Sequence, residues 1–306
     1  MTVETLKILL AIALITPLIH MTLPVEEYEY YYDYYDEYYY IDHIELATTS
    51  RRPPSRPEDR SRPIIGGVQI QVVPEFCSRN GDLISILYCL FIARTCTASY
   101  AVRVNRTVGF ISAGHCADFS SGFHVYQPIY LPPICYLQII IPGWPPRIRR
   151  VCIPAPTFAG VVTWASREYD AMFVKFPDVA PYILHIEGRW SFHLAIARIM
   201  RHYDVKYDLR VCKTGRTTGT TCGAVFGVGK CNVEGNNVPR CIHVRARAAP
   251  GDSGSPLYFH YDIVIGSRVI PAATLLGHVI GGDEDLGILA ASSITNFLES
   301  GFILYR

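Results

Sequence analysis

From residue 64 onward, the sequence predicts an all-β protein that closes with one short helix. Short apolar runs alternate with Gly, Pro and Asn, a pattern typical of strands joined by tight turns. The runs are 64–68, 100–104, 108–111, 171–174, 224–226, 242–244 and 263–265. This part of the chain has about 240 residues, which suits one domain of two barrels better than two independent domains. Residues 293–300 place Ile294, Phe297 and Leu298 on one helical face and predict the closing helix.

The first 23 residues have the pattern of a targeting segment. Lys7 precedes the apolar run 8–19, which is short for a bilayer span and is interrupted by Pro17. We therefore expect a signal peptide that is removed on export. An uncleaved membrane anchor is the alternative, because no clear small-residue cleavage site follows the apolar run. Membrane contact is expected only in that second case.

Residues 24–63 are unlike a folded domain. The stretch 25–45 consists almost entirely of Tyr, Asp and Glu, and the stretch 51–57 is rich in Arg and Pro. Neither composition can bury a core, so we expect an extended, solvated linker. The predicted organisation is a targeting segment (1–23), a linker (24–63) and a single β domain (64–306).

Charge and cysteine content limit the function classes. The chain has 306 residues, a formal net charge of +1 and 10 cysteines. A near-neutral balance does not favour nucleic-acid binding, and the absence of a Cys-x-x-Cys pair argues against a zinc site. Ten cysteines in an exported chain indicate disulfides, hence a secreted or extracellular protein. Pairs that would each close a short loop are Cys135 with Cys152, Cys212 with Cys222, and Cys231 with Cys241, although spacing alone leaves the connectivity open.

The segment 249–256 carries a candidate nucleophile. Ser253 is flanked by Gly251 and Gly254, and glycine permits backbone conformations that other residues avoid. If the N–H groups of Gly251 and Ser253 converge, they form an oxyanion hole for a tetrahedral intermediate. Serine is a weak nucleophile at neutral pH, so the chemistry also requires a base, for which histidine has a suitable pKa.

Among 10 histidines, local context favours His115 as the base. It follows the β-like run 108–112 and precedes Cys116, which can fix its backbone through a disulfide. Asp170 is the best candidate for the carboxylate that orients the imidazole, because it stands at the start of the apolar strand 171–174. Acidic residues in more polar, turn-like surroundings are the competitors for that role: Asp178, Asp204 and Asp208.

The chain order His115, Asp170, Ser253 resembles that of the chymotrypsin-like serine peptidases. The Gly/Thr-rich stretch 212–223 and Pro250 before Gly251 are similar to the streptogrisin and α-lytic protease branch. This resemblance implies two six-stranded antiparallel β-barrels, with triad and oxyanion-hole roles for the residues above. It also implies a disulfide between Cys96 and Cys116.

Three features depart from that branch. Arg247 occupies the position expected for a cysteine near the nucleophile, and the segment 125–156 is longer than usual, which suggests an extra loop at the rim of the cleft. Residues 64–67 resemble the mature start of trypsin-like enzymes, but Pro63 argues against simple cleavage after Arg62. The resemblance to the bacterial branch therefore implies that Asp252 pairs with an internal Arg.

Side-chain specificity stays open at this stage. The pocket walls are expected from residues 242–249 and 277–282, including Gly281 and Gly282. In one interpretation Arg245, Arg247 and His278 make the pocket cationic and select acidic side chains, as in the glutamyl endopeptidases. In another, the acidic residues 283–285 attract basic side chains. An apolar or undetermined preference ranks above both.

The predicted function is that of an exported serine endopeptidase that acts on proteins or peptides through an acyl-enzyme intermediate, without metal or cofactor. The alternative is a catalytically inactive protease fold that serves as a binding module at the cell surface. A blocked oxyanion turn or a displaced His115 would favour that alternative.

Overall fold

The computed structural model describes residues 54–79, 83–129, 134–140, 147–153, 157–233 and 235–305. Only the backbone is described for residues 79, 83, 134–140 and 147–153. The predicted targeting segment and most of the predicted linker lie outside the described residues. Within the described part, no helix is both long enough and apolar enough to cross a bilayer.

Nineteen strands carry most of the described chain. In chain order they are β1 (Ile64–Gly66), β2 (Gln69–Val73), β3 (Arg94–Thr97), β4 (Ala101–Val104), β5 (Thr107–Ser112), β6 (His124–Tyr126), β7 (Ile134–Ile140), β8 (Arg147–Ile153), β9 (Phe158–Ser166), β10 (Ala171–Lys175), β11 (Val179–Glu187), β12 (Trp190–Ile199), β13 (Arg210–Gly215), β14 (Gly219–Val233), β15 (Asn236–Val244), β16 (Pro256–Ile265), β17 (Arg268–Asp283), β18 (Ile288–Ser293) and β19 (Ile303–Leu304). The helices are α1 (Phe76–Arg79), α2 (Leu83–Ile92) and α3 (Thr295–Leu298). The prediction of a mostly β fold with a short helix near the C-terminus is confirmed.

The first barrel is a sheet with the strand order β19-β4-β5-β10-β9-β6-β2-β3. Its strand pairs are antiparallel. Strands β3 and β4 stand near opposite ends of this order, yet only residues 98–100 join them, so the sheet must curl to bring its ends together. Buried apolar side chains fill the interior, among them Ile70, Phe110, Val162 and Met172.

The second barrel is a closed ring. Its strands follow the order β17-β16-β13-β14-β15-β18, and β18 pairs again with β17, which leaves six antiparallel strands without a free edge. Strands β12, β11 and β1 extend the sheet beyond β17, with parallel pairing of β12 to β17 and of β1 to β11. Val211, Val225, Ile242, Leu257 and Leu276 are fully buried inside the ring.

A third apolar cluster includes side chains from both barrels. Phe173 of β10 and Tyr258 of β16 are buried in it together with Phe297 of α3. Phe297 contacts the ring of Tyr100 edge-on, with 6.2 Å between ring centroids, a favoured arrangement of aromatic rings. The short closing helix therefore contributes to the packing between the barrels.

The helices α1 and α2 were not predicted from the sequence. They form a hairpin between β2 and β3, held by a disulfide between Cys77 and Cys89. Ile84 and Phe91 of α2 are 81% and 88% exposed, respectively. The insertion predicted within 125–156 contains the hairpin β7–β8, where Cys135 and Cys152 are backbone partners.

Residues just before position 64 pack on the first barrel. Gln127 accepts a hydrogen bond from the Ser61 backbone N–H (3.0 Å) and donates one to the Asp59 carbonyl (2.8 Å). Arg62 also donates to the Gln127 side chain (2.8 Å). Burial is the main reason that the pKa of Arg62 falls to about 10. Part of the predicted linker is thus in direct contact with the β domain.

Candidate active site

A cleft of about 400 Å³ contains the residues that the sequence singled out. Residues from both barrels line it, and they include Arg94, His115, Gly251, Ser253, Gly281 and Glu284. The candidate base and the candidate nucleophile, which are far apart in the sequence, therefore face the same space.

His115 lies in a short 3₁₀ turn (Gly114–Ala117) that follows β5. A disulfide joins the next residue, Cys116, to Cys96 of β3, with an S–S distance of 2.01 Å. Gly114 has no room for a side chain, because a Cβ there would lie 2.6 Å from the backbone nitrogen of Ala171. The turn is thus pressed against the first residue of β10, immediately after Asp170.

Asp170 orients the His115 ring. Its carboxylate, whose side chain is 2% exposed, accepts a hydrogen bond from the His115 backbone N–H (2.9 Å) and is 2.8 Å from Nδ1. A carboxylate can only accept, so Nδ1 carries the proton, and the Nε2 atom of the neutral ring holds a lone pair. This is the tautomer that a general base requires.

Ser253 lies in a sharp turn between β15 and β16. Gly251 and Gly254 have φ values of +100° and +89°, a region that glycine enters without steric cost. Thr97 fixes the turn by donating its backbone N–H to the Ser253 carbonyl (2.8 Å) and its hydroxyl to the Gly251 carbonyl (2.8 Å). The Gly254 N–H donates to the Val279 carbonyl (2.7 Å).

Two N–H groups of this turn have no hydrogen-bond acceptor within the part of the chain that the structure describes. Among the residues that the structure describes, neither the Gly251 nor the Ser253 N–H donates a hydrogen bond. Both residues line the cleft. Unpaired, fixed donors of this kind can bind a developing oxyanion.

Solved structures with the same fold are known. Protease A of Thermobifida fusca is 20% identical, with 79% of this chain and 98% of that chain covered and a TM-score of 0.50. A Nocardiopsis protease is 18% identical, with 79% and 99% covered and a TM-score of 0.50. A glutamic acid-specific serine protease, described as using a novel histidine triad in substrate binding, is 18% identical, with 79% and 100% covered and a TM-score of 0.51. The fold is that of the chymotrypsin-like serine proteases.

The predicted fold is therefore confirmed. No family model matches the sequence, and no curated protein matches it. At 18–20% identity, the likeness concerns the fold, so the chemistry has to be argued from the site itself.

In this chymotrypsin-like fold, the acidic residue before the candidate nucleophile is buried and paired. Asp252 is 1% exposed, and its carboxylate lies 3.0 Å from the Lys213 ammonium. It also accepts hydrogen bonds from the Thr218 hydroxyl (2.7 Å) and the Thr217 N–H (2.8 Å). Burial alone would raise the pKa of Asp252, but Lys213 and the two threonines outweigh burial and lower it.

The expectation of an internal Arg partner for Asp252 was wrong in residue type. The partner is Lys213 of β13, whose ammonium also donates to the Gly219 carbonyl (3.0 Å). Ile64, the alternative source of a positive group after cleavage, donates its backbone N–H to the Asp178 carbonyl (2.9 Å). Asp252 is thus neutralised from within the chain.

The residues predicted for a cationic pocket are dispersed. Arg245 lies over the Phe226 ring, 5.6 Å from its centroid. Arg247 has a side chain 65% exposed and pairs with Glu284 at 2.5 Å. His278 is fully buried, and burial lowers its pKa to about 4. None of the three basic residues lines the cleft, so the interpretation of a cationic pocket is corrected.

Small and apolar groups line this side of the cleft. Gly281 and Gly282 are both in the lining, beside Ala248, Val279 and Ile280. Glu284 is the member of the acidic run 283–285 that reaches the lining. Glu284 also pairs with Arg247.

Sequence reasoning missed the groups that hold the nucleophile turn. Thr97 follows Cys96 directly, and Lys213, Thr217 and Thr218 all belong to the Gly/Thr-rich stretch 212–223. That stretch was recognised as a motif, but the sequence did not indicate that its threonines and lysine point at Asp252. A buried carboxylate requires hydrogen-bond donors or a cation around it. This requirement was the available indication that nearby polar residues would contact Asp252.

Proposed function

We propose that this protein is a serine endopeptidase whose catalytic residues are His115, Asp170 and Ser253. The observation that supports this most strongly is the combination, in one cleft, of two features: an imidazole held by a buried carboxylate, and a serine turn with two N–H groups that no described residue accepts. Neither part alone is sufficient for acyl transfer. Together they provide the base and oxyanion site that the reaction needs around the serine.

In the proposed reaction, Ser253 Oγ attacks a peptide carbonyl as His115 Nε2 takes the hydroxyl proton. Asp170 stabilises the resulting imidazolium through the 2.8 Å contact with Nδ1. The Gly251 and Ser253 N–H groups bind the oxyanion, a contribution of about 3 kcal/mol for each donor. His115 then protonates the leaving amine, and water hydrolyses the acyl-enzyme by the same route in reverse.

The compartment and substrates follow from the same features. The structure describes four disulfides, and structural disulfides persist in oxidising environments. The disulfides support our proposal that the enzyme acts outside the cytoplasm, on protein or peptide substrates there. An apolar side chain next to the scissile bond suits the lining by Ala248, Val279 and Ile280.

The inactive binding module is the weaker alternative. It would be favoured by an oxyanion turn blocked by its own acceptors or by a His115 turned away from Asp170. Two features argue for the active form: the N–H groups of Gly251 and Ser253 meet no acceptor among the described residues, and His115 contacts Asp170.

Fluorophosphonate labelling of the full-length protein tests this proposal. Covalent capture requires the nucleophile, the base and the oxyanion site together, so we expect labelling of the wild type and none of Ser253→Ala or His115→Ala. Asp170→Asn should slow labelling by a factor of about 10⁴ because the wrong tautomer is favoured. Asp208→Asn is the matched control, since Asp208 is an exposed acid, and should label like the wild type. A folded wild type that does not react would support the inactive module.

A further inference from the structure

A second histidine lies directly behind the His115 and Asp170 pair. His278 of β17 is fully buried, and its Nε2 is 2.9 Å from the backbone carbonyl oxygen of Asp170. A carbonyl oxygen can only accept, so Nε2 carries the proton and donates it to this bond.

The His278 ring is neutral and makes one hydrogen bond to the residues that the structure describes. Burial is the main cause that lowers its pKa to about 4, so it carries no charge at neutral pH that would compete with a protonated His115. Its Nδ1 is buried and has no hydrogen-bond partner among the described residues. The ring packs against Phe297 edge-on, with 5.3 Å between centroids.

The backbone of Asp170 needs an external restraint. Its φ is +44°, in the left-handed region that is unfavourable for a residue with a side chain. The direction of its carboxylate depends on that conformation. This carboxylate accepts a hydrogen bond from the backbone N–H of His115 and contacts its Nδ1. A shift of the Asp170 peptide would therefore displace the imidazole.

Strand β17 also supports the nucleophile turn. Val279, the next residue, donates its N–H to the Ser255 carbonyl (2.8 Å) and accepts from the Gly254 N–H (2.7 Å). Consecutive residues of one strand thus contact the acid of one barrel and the nucleophile turn of the other.

We propose that His278 is a positioning residue, which uses its Nε2 proton to fix the Asp170 peptide in register with the nucleophile turn. This inference rests on the proposed endopeptidase function and adds a residue to its machinery. A purely space-filling role explains the position less well, because phenylalanine would fill a similar volume without burying an unpaired Nδ1.

Three substitutions in the full-length protein test this role, with a fluorophosphonate as the probe. His278→Phe removes the donor. His278→Gln and His278→Asn form a matched amide pair, because the Gln amide reaches the position of Nε2 whereas the Asn amide stops near that of Nδ1. The maximal inactivation rate and the inactivator binding constant are measured separately, and circular dichroism checks folding.

We expect His278→Phe and His278→Asn to lower the maximal inactivation rate about tenfold or more, because small misplacements of catalytic groups are costly. The binding constant should change by less than about twofold, since the donor acts on the chemical step. His278→Gln should restore the rate to within about threefold of the wild type.

The outcomes separate the two proposals. If the wild type reacts and Ser253→Ala does not, the proposed function stands, and equal rates for folded Asn and Gln variants would overturn the role of His278 alone. The comparison of His278→Gln with His278→Asn tests the role of His278 even if His278→Phe does not fold. A folded wild type that is inert would overturn both.

Discussion

At the residue scale, the sequence was sufficient to propose a triad, but it did not indicate the residues that support it. His115, Asp170 and Ser253 each stand in a local pattern of glycines, a cysteine or an apolar strand, and those patterns are visible in the sequence. Lys213 is different, because its contact with Asp252 is created by the pairing of β13 with β16. Only the folded barrel brings that charge to the acid.

The buried pair of Lys213 and Asp252 leads to a stability prediction. Lys213→Met keeps the length of the side chain but leaves a buried carboxylate without a cation, which should lower the free energy of unfolding by about 3–5 kcal/mol. Urea unfolding with intact disulfides measures the loss. The double variant Lys213→Met with Asp252→Asn should lose less, because no charge is then left unpaired. A single variant as stable as the wild type would contradict this account.

At the element scale, the turn around Ser253 was predicted better than the helical insertion of α1 and α2. The glycines around Ser253 indicated a strained turn, and Gly251 and Gly254 do have positive φ values. The helix α2, by contrast, is apolar on most of its faces and has no helical periodicity of polar residues, so its sequence does not distinguish a helix from a buried strand. The disulfide between Cys77 and Cys89 was equally invisible, because spacing does not determine connectivity.

Two glycines with nearly equal φ values allow the cost of a left-handed backbone to be measured apart from the cost of a steric clash. Gly254 and Gly122 have φ values of +89° and +88°. A Cβ at Gly254 would overlap the Thr97 carbonyl oxygen and the Ser112 hydroxyl, whereas a Cβ at Gly122 would meet nothing within 4 Å.

We expect Gly122→Ala to cost about 1–2 kcal/mol, the cost of the left-handed conformation alone. Gly254→Ala should cost at least about 3 kcal/mol more, because the turn must move away from β3. Urea unfolding provides both values, and fluorophosphonate labelling should be retained only in the Gly122 variant. Similar losses for both variants would show that the nucleophile turn can accommodate a methyl group without moving.

At the scale of the whole molecule, length and strand pattern predicted two barrels, but not the connections between them. The parallel pairing of β12 with β17 and of β1 with β11 joins segments that are distant in the chain. Hydrophobic runs identify strands without identifying their neighbours. Register and neighbours depend on the packing of both barrels together.

A buried network of polar side chains connects strands β11, β16 and β13. His185 of β11 lies 2.7 Å from the Tyr258 hydroxyl of β16, which lies 2.8 Å from the Thr214 hydroxyl of β13. Burial, and the nearby His260 to a smaller extent, lower the pKa of His185 to about 4. His185 is therefore neutral in the folded protein over a range in which the unfolded chain binds a proton.

This network predicts acid-sensitive stability. The contribution of neutral His185 is present above the unfolded pKa of about 6.5 and is lost as the pH falls toward the folded pKa. His185→Asn keeps an acceptor near the position of Nδ1 but does not titrate. Between pH 7 and pH 4.5 the wild type should lose about 2 kcal/mol more unfolding free energy than this variant. Urea unfolding measures both free energies. If the wild type and His185→Asn lose the same unfolding free energy over this pH range, His185 is not the cause of the acid sensitivity.

The pairing of β19 with β4 has a consequence for the order of folding. Ile303 and Arg103 are backbone partners, and Phe302 packs against Trp164 and Phe173 of the first barrel. During synthesis the other strands of the first barrel emerge long before β19 does. Until β19 has been made, β4 lacks this partner strand, and the apolar surface that Phe302 covers stays exposed. Pairing two segments so far apart in the sequence carries a large loop-closure entropy, which slows folding. Strand β4 therefore gains this partner only after every strand of the second barrel has been made.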